Sequence, residues 1–195
     1  MSQIIIVPSP VLRQPAKPVK ALDKRVLNII KDMEKTLLAA KNPQGVGLAA
    51  PQIGISLRVF LIRPVKNGPI TVFINPEIIK YSQRTTHPTS KKGVYEGCLS
   101  IPAHYAPIKR AMSVTVKYQT LSSITPLPPL NLRGGGPQDE GDILVEKVET
   151  FSGFSAHVIQ HEMDHLNGIL FIDRVLEQNT KLYKTSGKDW EEISL

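Results

Sequence analysis

Apolar residues between positions 22 and 40 recur every three or four positions. They fall at 22, 26, 29, 30, 33, 37 and 38, a spacing that places them on one stripe of an α-helix. Asp23 stands at the start of this pattern and can cap the first turn. The pattern predicts an amphipathic helix over 22–40 whose apolar stripe packs against the core.

Shorter apolar or alternating runs predict strands in the rest of the chain. The predicted strands cover 4–7, 58–62, 70–74, 77–81, 112–118 and 143–148. Asn67-Gly68 between the second and third of these is a hairpin turn signal. Prolines at 8, 10, 15 and 18 follow the first strand. Because proline has no backbone donor, we expect that region to wrap irregularly around the molecule.

A second helix is predicted near the C-terminal end, where Phe154, Val158, His161 and His165 fall on one face. Ser152 or Ser155 can cap its start. Asn167-Gly168 can end it in the left-handed conformation. The apolar run 169–171 that follows is typical of the start of a buried strand.

Three segments are polar or rich in turn-forming residues. The segments 83–92 and 121–142 are interpreted as exposed loop insertions, with His87 solvated in the first and Gly134-Gly135-Gly136 in the second. Beyond Asp173 the chain becomes polar, and partial disorder is expected after about Lys184.

Composition favours a single globular domain over all 195 residues. Hydrophobic residues make up 41% and charged residues 21%, and no apolar run reaches the roughly 18 residues of a membrane helix. The N-terminus lacks the pattern of an export signal, so a cytoplasmic location is expected. The net charge of +7 is compatible with a polyanionic neighbour such as a ribosome. No basic run interleaved with aromatics predicts sequence-specific nucleic-acid binding.

The candidate chemistry begins with His161, Glu162 and His165 on the second predicted helix. Histidines four residues apart leave the same helix face and can bind one divalent metal, with the adjacent carboxylate as a base. A chance match is the alternative, because the pattern fixes only three positions.

Cys98 is the single cysteine, so no disulfide forms within the chain and its role is packing, catalysis or metal binding. Two histidines and one cysteine make a three-ligand site with a fourth position open for water, as catalytic sites have. The stretch 45–54 is rich in glycine and alanine, whose side chains are absent or small. This composition indicates either a tight loop or a backbone that a ligand approaches closely.

Three motifs occur in order: GVGLAAPQ at 45–52, EGCLS at 96–100 and QHEMDHLNG at 160–168. With them the chain resembles the peptide deformylases over most of its length outside 83–92, 121–142 and the tail. The resemblance implies an α+β fold in which antiparallel sheets pack around the motif-bearing helix, here with an additional N-terminal helix. It also implies one deformylase-like catalytic domain over 1–195.

The resemblance further implies a role for each motif residue. Cys98, His161 and His165 would hold a divalent metal, natively Fe²⁺, with Zn²⁺, Ni²⁺ and Co²⁺ as alternatives. Metal-bound water would attack the formyl carbon of an N-formylmethionyl nascent peptide, releasing formate. Glu162 would accept the proton and pass it to the leaving amine, and the Gln52 side chain and the Leu99 N–H would stabilise the oxyanion.

By the same resemblance the peptide would lie extended and pair its backbone with Val46, Gly47 and Gly97. The methionine pocket would be formed by Val46, Glu96, Phe154, His157 and Val158. Tyr105 departs from the family, since many bacterial members have a substrate-contacting arginine there. The tail is too short for the C-terminal helix by which some members dock on ribosomes.

Two rival functions remain open. An HExxH metalloprotease would need a downstream third ligand, for which Glu177, Glu191 and Glu192 are the candidates. A deformylase-like protein that binds metal or peptide without turnover is the second.

Overall fold

The computed structural model describes residues 2–41, 44–86, 94–122, 143–187 and 189–193. These residues form three α-helices and nine strands. The helices are α1 Lys24–Ala39, α2 Gly153–Leu166 and α3 Phe171–Glu177. The strands are β1 Gly47–Ala49, β2 Val59–Ile62, β3 Thr71–Tyr81, β4 Glu96–Cys98, β5 Ile101–Ala106, β6 Ser113–Ser122, β7 Ile143–Ser152, β8 Leu182–Ser186 and β9 Asp189–Ile193.

The strands form two antiparallel sheets. One has five strands in the order β1-β2-β3-β6-β7, and the other has four in the order β4-β5-β8-β9. The predicted α+β class with antiparallel sheets is therefore confirmed. Strands β1 and β4 are each the first strand of their sheet, so each leaves one edge without a strand partner among the described residues.

The five-stranded sheet lies between α1 and α2. Along β2, Val59 and Leu61 belong to the core cluster with Met33 of α1, whereas Phe60 and Ile62 belong to the cluster with α2. All four β2 residues are buried, which explains why this strand is a continuous apolar run. Asp23 caps α1 through its side chain, which accepts a hydrogen bond from Val26 N at 2.8 Å.

Helix α2 is buried from Ala156 to Leu166. Its apolar residues, such as Ile159 and Met163, pack on the five-stranded sheet. Its polar residues are held by side chains from other elements. For example, the Gln160 amide accepts from Ala111 N at 3.0 Å and donates to Ala111 O at 2.9 Å. Because these groups are paired, a helix rich in polar residues can lie in the interior.

The predicted strand 4–7 is not a strand. The segment is extended but makes isolated backbone hydrogen bonds, from Ile5 N to Gln52 O and from Val7 N to Ser100 O. The segment therefore connects the backbone of the first motif, at Gln52, with that of the second motif, at Ser100. The prolines that follow prevent a regular ladder of backbone hydrogen bonds.

The two predicted strands 70–74 and 77–81 form one strand, β3. The register with β6 shifts between Ile74 and Glu77, and Asn75 has a φ of 49°. Pro76 lies within this bulge, where the missing backbone donor interrupts no regular ladder pair.

The predicted strand at 169–171 is instead the entry to a helix. Gly168 has a φ of 73° and α3 begins at Phe171. The Leu170 N–H donates to Asp173 Oδ2 at 2.7 Å, so a side chain in the first turn satisfies a backbone donor at the helix start. That capping contact favours a helix over the strand that the apolar run predicted.

The expected disorder after about Lys184 also differs from the structure, because the tail forms the hairpin β8–β9. Leu182 is buried at its base. Tyr183 and Trp190 pack across the two strands with ring centroids 6.1 Å apart, and such cross-strand aromatic pairs stabilise a hairpin.

Most of two predicted insertions lies outside the described residues: 87–92 of the first, which includes His87, and 123–142 of the second. No helix in the described part of the chain is long and apolar enough to span a membrane.

Candidate metal centre and its cavity

Helix α2 and strand β4 bring three potential metal ligands together. One ligand atom from each of Cys98, His161 and His165 lies within 4.8 Å of the others. All three side chains are buried. Cys98 Sγ lies 3.1 Å from His165 Nε2, and the two imidazole rings have centroids 4.9 Å apart. The structure therefore unites the cysteine of one sequence motif with both histidines of another.

The ring of His161 is oriented by Glu96. Its Nδ1 lies 2.7 Å from Glu96 Oε1, which leaves Nε2 as the nitrogen available to a cation. Arg110 holds this carboxylate through two bonds, from Nη2 to Oε1 at 2.7 Å and from Nε to Oε2 at 3.0 Å. Burial opposes ionisation of Glu96, but the charges of Arg110 and His161 outweigh it and hold the pKa of this carboxyl well below its usual range.

Arg110 also belongs to a second set of ion pairs, on the side of its guanidinium away from the cavity. Arg110 Nη1 lies 2.5 Å from Asp164 Oδ2, and Arg174 donates to both oxygens of Asp164. The positive charge of Arg110 is thus shared between a carboxylate on β4 and one on α2. This arrangement ties the strand that carries Cys98 to the helix that carries the histidines.

The thiol of Cys98 is held as a thiolate. Burial raises the pKa of the thiol, but the charge of His165 and hydrogen bonds from His161 and His165 outweigh burial and lower the pKa to about 5. Because a thiolate is the form that binds metal, the cluster presents a charged sulfur ligand at neutral pH.

Glu162 lies beside the three potential ligands and lines the same cavity. Burial raises the pKa of its carboxyl to about 7, against the charges of His161 and His165. Its Oε2 is buried without a hydrogen-bond partner among the described residues. This oxygen is therefore available to a water molecule or a substrate proton.

Gln52 is fixed with its NH₂ group toward the cluster. Its Oε1 accepts from Ala49 N at 2.9 Å, and Nε2 faces Ser100 Oγ at 3.2 Å and Cys98 Sγ at 3.5 Å. Because the carbonyl end of the amide is bound to the backbone, the donor end points into the site.

A cavity of about 230 Å³ opens beside these groups. It is lined by every residue predicted to bind substrate and every residue predicted to act in catalysis, namely Val46, Gly47, Gln52, Glu96, Gly97, Leu99, Phe154, His157, Val158 and Glu162. Of the predicted ligands, Cys98 and His161 line it as well. His157 Nε2 lies 2.9 Å from Glu96 Oε2, although neither ring nitrogen of His157 makes a hydrogen bond among the described residues.

The sequence patterns did not predict roles for Arg110, Asp164 and Arg174. Arg110 lies outside the three motifs. Its partner Glu96 is 14 residues earlier in the chain, and the two side chains meet only in the folded structure. Asp164 lies inside the third motif but points away from the histidine face. Only the three-dimensional packing shows that these charges neutralise one another.

The chemistry of the donor set fits a divalent transition metal. A thiolate with two imidazoles suits Zn²⁺ and Fe²⁺, and three protein ligands leave a coordination position free. His165 Nδ1 is a buried nitrogen without a hydrogen-bond partner among the described residues. The Glu96 contact to His161 is the carboxylate support that metal-binding histidines commonly have.

Comparisons with known proteins agree with this geometry. A family model described as polypeptide deformylase matches residues 1–125 and 142–181. A peptide deformylase of Pseudothermotoga lettingae is 38% identical over 175 residues, covering 90% of this chain and 83% of that protein. The crystal structure of peptide deformylase from Thermotoga maritima is 36% identical with a TM-score of 0.68, covering 89% of this chain and 97% of that one.

A further similar structure contains a peptide. It is a Met-Ala-Ser bound class I type b peptide deformylase from Acinetobacter baumannii, 31% identical with a TM-score of 0.68, covering 89% of this chain and 98% of that one. The extent of these matches, together with the Cys98, His161 and His165 cluster, shows that the chain belongs to the polypeptide deformylase family, whose members are metal-dependent enzymes that remove N-formyl groups from nascent peptides.

Proposed function

We propose that this chain, acting as one catalytic domain in the cytoplasm, removes the formyl group from the N-terminal formyl-methionine of nascent peptides. The observation that carries the proposal is the convergence of Cys98, His161 and His165, whose ligand atoms lie within 4.8 Å of one another beside the cavity that Glu162 lines. Proximity to the ribosome and the lack of sequence-specific nucleic-acid binding stay predictions.

Cys98, His161 and His165 would hold the cation, natively Fe²⁺, with Zn²⁺, Ni²⁺ and Co²⁺ as replacements. A divalent cation there would act as a Lewis acid and would lower the pKa of a water molecule at the open position. The protein prepares the ligands beforehand: Glu96 orients His161, and the neighbouring histidines keep Cys98 ionised.

Glu162 is the proton carrier in this proposal. Its Oε2 would accept the proton of the water that adds to the formyl carbon and would then return it to the leaving nitrogen. A pKa of about 7 in the described structure suits both steps near neutral pH. A nearby cation would favour the ionised form that accepts the proton.

Gln52 and Leu99 would stabilise the oxyanion. The contact of Gln52 Oε1 with Ala49 N fixes the amide so that Nε2 points into the cavity. Leu99 follows Cys98 directly and lines the cavity, which brings its backbone N–H to the same region. Removing one such donor typically lowers kcat about 100- to 1,000-fold.

The substrate peptide would enter between the two sheets. β1 and β4 are each an edge strand of their sheet among the described residues, and one residue of each strand, Gly47 and Gly97, lines the cavity. An extended peptide could therefore pair its backbone with Val46, Gly47 and Gly97 as an added strand. Phe154, His157 and Val158 of α2, with Val46 and Glu96, would surround the methionine side chain.

Nothing in the described residues favours the metalloprotease alternative, because none of its candidate third ligands belongs to the Cys98, His161 and His165 cluster. Glu177 is paired with Arg174 at 2.7 Å, and Glu192 is paired with Lys181 at 2.6 Å. Glu191 lies opposite Lys184 in the β8–β9 hairpin. The third potential ligand that the described residues supply is Cys98. A binding protein without turnover needs neither the proton carrier nor the oriented amide.

The test is formate release from formyl-Met-Ala-Ser by protein loaded anaerobically with Fe²⁺ or Ni²⁺. The proposal predicts formate without internal peptide cleavage, and loss of formate release in Glu162→Gln. Internal cleavage would support a metalloprotease, and retention of the intact formyl-peptide would support a binding protein.

A matched control for this variant is Glu77→Gln, which makes the same change at an exposed glutamate of β3. It should keep wild-type activity. Metal content is measured for both variants, so that a lost proton carrier is distinguished from a lost cation.

A further inference from the structure

We propose that four aromatic side chains beside the cavity form an outer subsite for the substrate residues that follow the methionine. This aromatic subsite consists of Tyr95, Tyr105, Tyr183 and Trp190, and it favours peptides with apolar or aromatic side chains at the second and third positions. The inference rests on the proposed function and extends it from the formyl-methionine to the peptide behind it.

Trp190 is the centre of the aromatic subsite. Its ring centroid lies 5.2 Å from that of Tyr105, 5.3 Å from that of Tyr95 and 6.1 Å from that of Tyr183. Tyr95 and Tyr183 also meet edge to face at 5.7 Å. These separations are those of interacting aromatic pairs, so the β8–β9 hairpin holds the tyrosine rings in place.

The aromatic subsite is continuous with the catalytic cavity. Tyr95 and Tyr105 line that cavity together with Gly97 and Cys98. Tyr105 lies opposite Gly97 in the pairing of β4 with β5, and a Cβ added at Gly97 would lie 2.6 Å from Tyr105 Cε1. The Tyr105 ring therefore packs against Gly97, beside the edge of β4 that the peptide would follow.

The aromatic subsite lies in the sheet that has β4 as an edge strand. Tyr105 belongs to β5 and Trp190 to β9 of that sheet. Trp190 contacts both Tyr95 and Tyr105, and these two tyrosines line the cavity. Peptide residues that leave the cavity beside these tyrosines would therefore meet the aromatic subsite.

Exposure argues against a purely structural role for Trp190 and Tyr95. Trp190 is 51% exposed and Tyr95 is 40% exposed, and Val94 and Phe154 at the same cavity mouth are 40% and 41% exposed. Apolar surface grouped around a cavity marks a binding region. The family model ends at residue 181, so Trp190 lies in a hairpin outside the matched segments.

The first experiment compares kcat/KM for formyl-Met-Leu-Phe and formyl-Met-Ser-Ser with Ni²⁺-loaded enzyme. The wild type is expected to prefer formyl-Met-Leu-Phe by about fivefold or more, the size of effect that an aromatic contact typically gives. Trp190→Ala should bring this ratio close to one, and Trp190→Phe should keep most of it. Leu176→Ala, which removes an exposed apolar side chain of α3, is the control and should keep the wild-type ratio.

A ratio near one in the wild type, or an unchanged ratio in Trp190→Ala, would overturn the aromatic subsite while formate release itself stands. The second readout does not depend on turnover. Trp190 is the single tryptophan of the chain, so intrinsic fluorescence reports on the aromatic subsite directly. Titration with the product peptide Met-Leu-Phe should give a saturable change that Met-Ser-Ser does not give at the same concentration.

The two readouts separate the two proposals. A fluorescence response to Met-Leu-Phe without any formate release would support the aromatic subsite and contradict the proposed activity. Formate release with no fluorescence response to either peptide would support the activity and contradict the aromatic subsite.

Discussion

The carboxylate of Glu162 occupies the space that a side chain at Gly47 would need. A Cβ at position 47 would contact Glu162 Oε1 and would lie 2.8 Å from its Cδ and 2.9 Å from Val158 Cγ1. The glycine of the first motif therefore leaves room for the carboxylate of the third. Glycine is needed at position 47 because of this lack of space and not because of its backbone conformation, since a strand can accept any residue at its φ.

Gly47→Ala is accordingly expected to displace Glu162 and to lower kcat by about 100-fold or more, the scale of general acid–base catalysis. Binding of metal should persist, because the three ligands lie on α2 and β4. The matched control is Gly187→Asn, at a turn glycine with φ of 63° and nothing within 4 Å of an added Cβ, a conformation that asparagine tolerates. Steady-state kinetics and metal analysis decide the matter, and an active Gly47→Ala enzyme would contradict the role given to this contact.

Glu96→Gln should destabilise the protein strongly. The variant leaves Arg110 with a single carboxylate partner, Asp164, in the interior, and breaking a buried ion pair by removing one partner costs about 3–5 kcal/mol of unfolding free energy. It also removes the carboxylate that orients His161, so metal affinity should fall roughly 10- to 100-fold. Urea unfolding and metal titration measure the two effects.

The matched control for that variant is Glu192→Gln at the exposed pair with Lys181, whose side chains are 51% and 61% exposed. A surface pair contributes about 0–1 kcal/mol, so this variant should unfold near the wild-type midpoint. Equal losses of unfolding free energy for Glu96→Gln and Glu192→Gln would contradict the larger contribution predicted for the buried Glu96–Arg110 pair.

The pKa of Cys98 gives a prediction for the metal-free protein. Ultraviolet absorbance of the thiolate, measured against a Cys98→Ser blank, should titrate with a midpoint near pH 5 instead of near the usual value of 9.0. Because the folded pKa is lowered, this group's contribution to the unfolding free energy is fully present above pH 9 and is lost as the pH falls from 9 through 5. A midpoint near 9 would mean that the neighbouring histidines do not stabilise the thiolate.

Asp173→Ala should weaken the start of α3. Asp173 Oδ2 accepts from Leu170 N and also contacts Arg13. Losing a helix cap costs about 1 kcal/mol of stability, whereas activity should stay at the wild-type level because α3 does not line the cavity. Thermal unfolding with a parallel formate assay checks both parts.

Local patterns predicted much of the fold. The stripe of α1 and the cap at Asp23, the continuous apolar run of β2 and the alternation in β6 all follow from spacing along the chain. Elements whose form depends on distant contacts were misjudged. Asp173 turns an apolar run into the start of α3, and rings from β8 and β9 order a tail that is polar in sequence.

The site was predictable where its residues belong to the three motifs. Cys98, His161 and His165 do meet, and Glu162 and Gln52 line the same cavity. Arg110 could not be found in the same way, because its role arises only when β4 and α2 are packed together. The same holds for Trp190, whose partners Tyr95 and Tyr105 lie about 90 residues earlier in the chain.

The central claim is that one sulfur and two imidazole nitrogens hold a single cation. X-ray absorption spectroscopy of the Zn²⁺-loaded protein tests it most directly. The account predicts one sulfur at about 2.3 Å and two imidazole nitrogens at about 2.0–2.1 Å, with the sulfur lost in Cys98→Ala. A zinc spectrum without a sulfur neighbour in the wild type, or one unchanged in Cys98→Ala, would contradict the account.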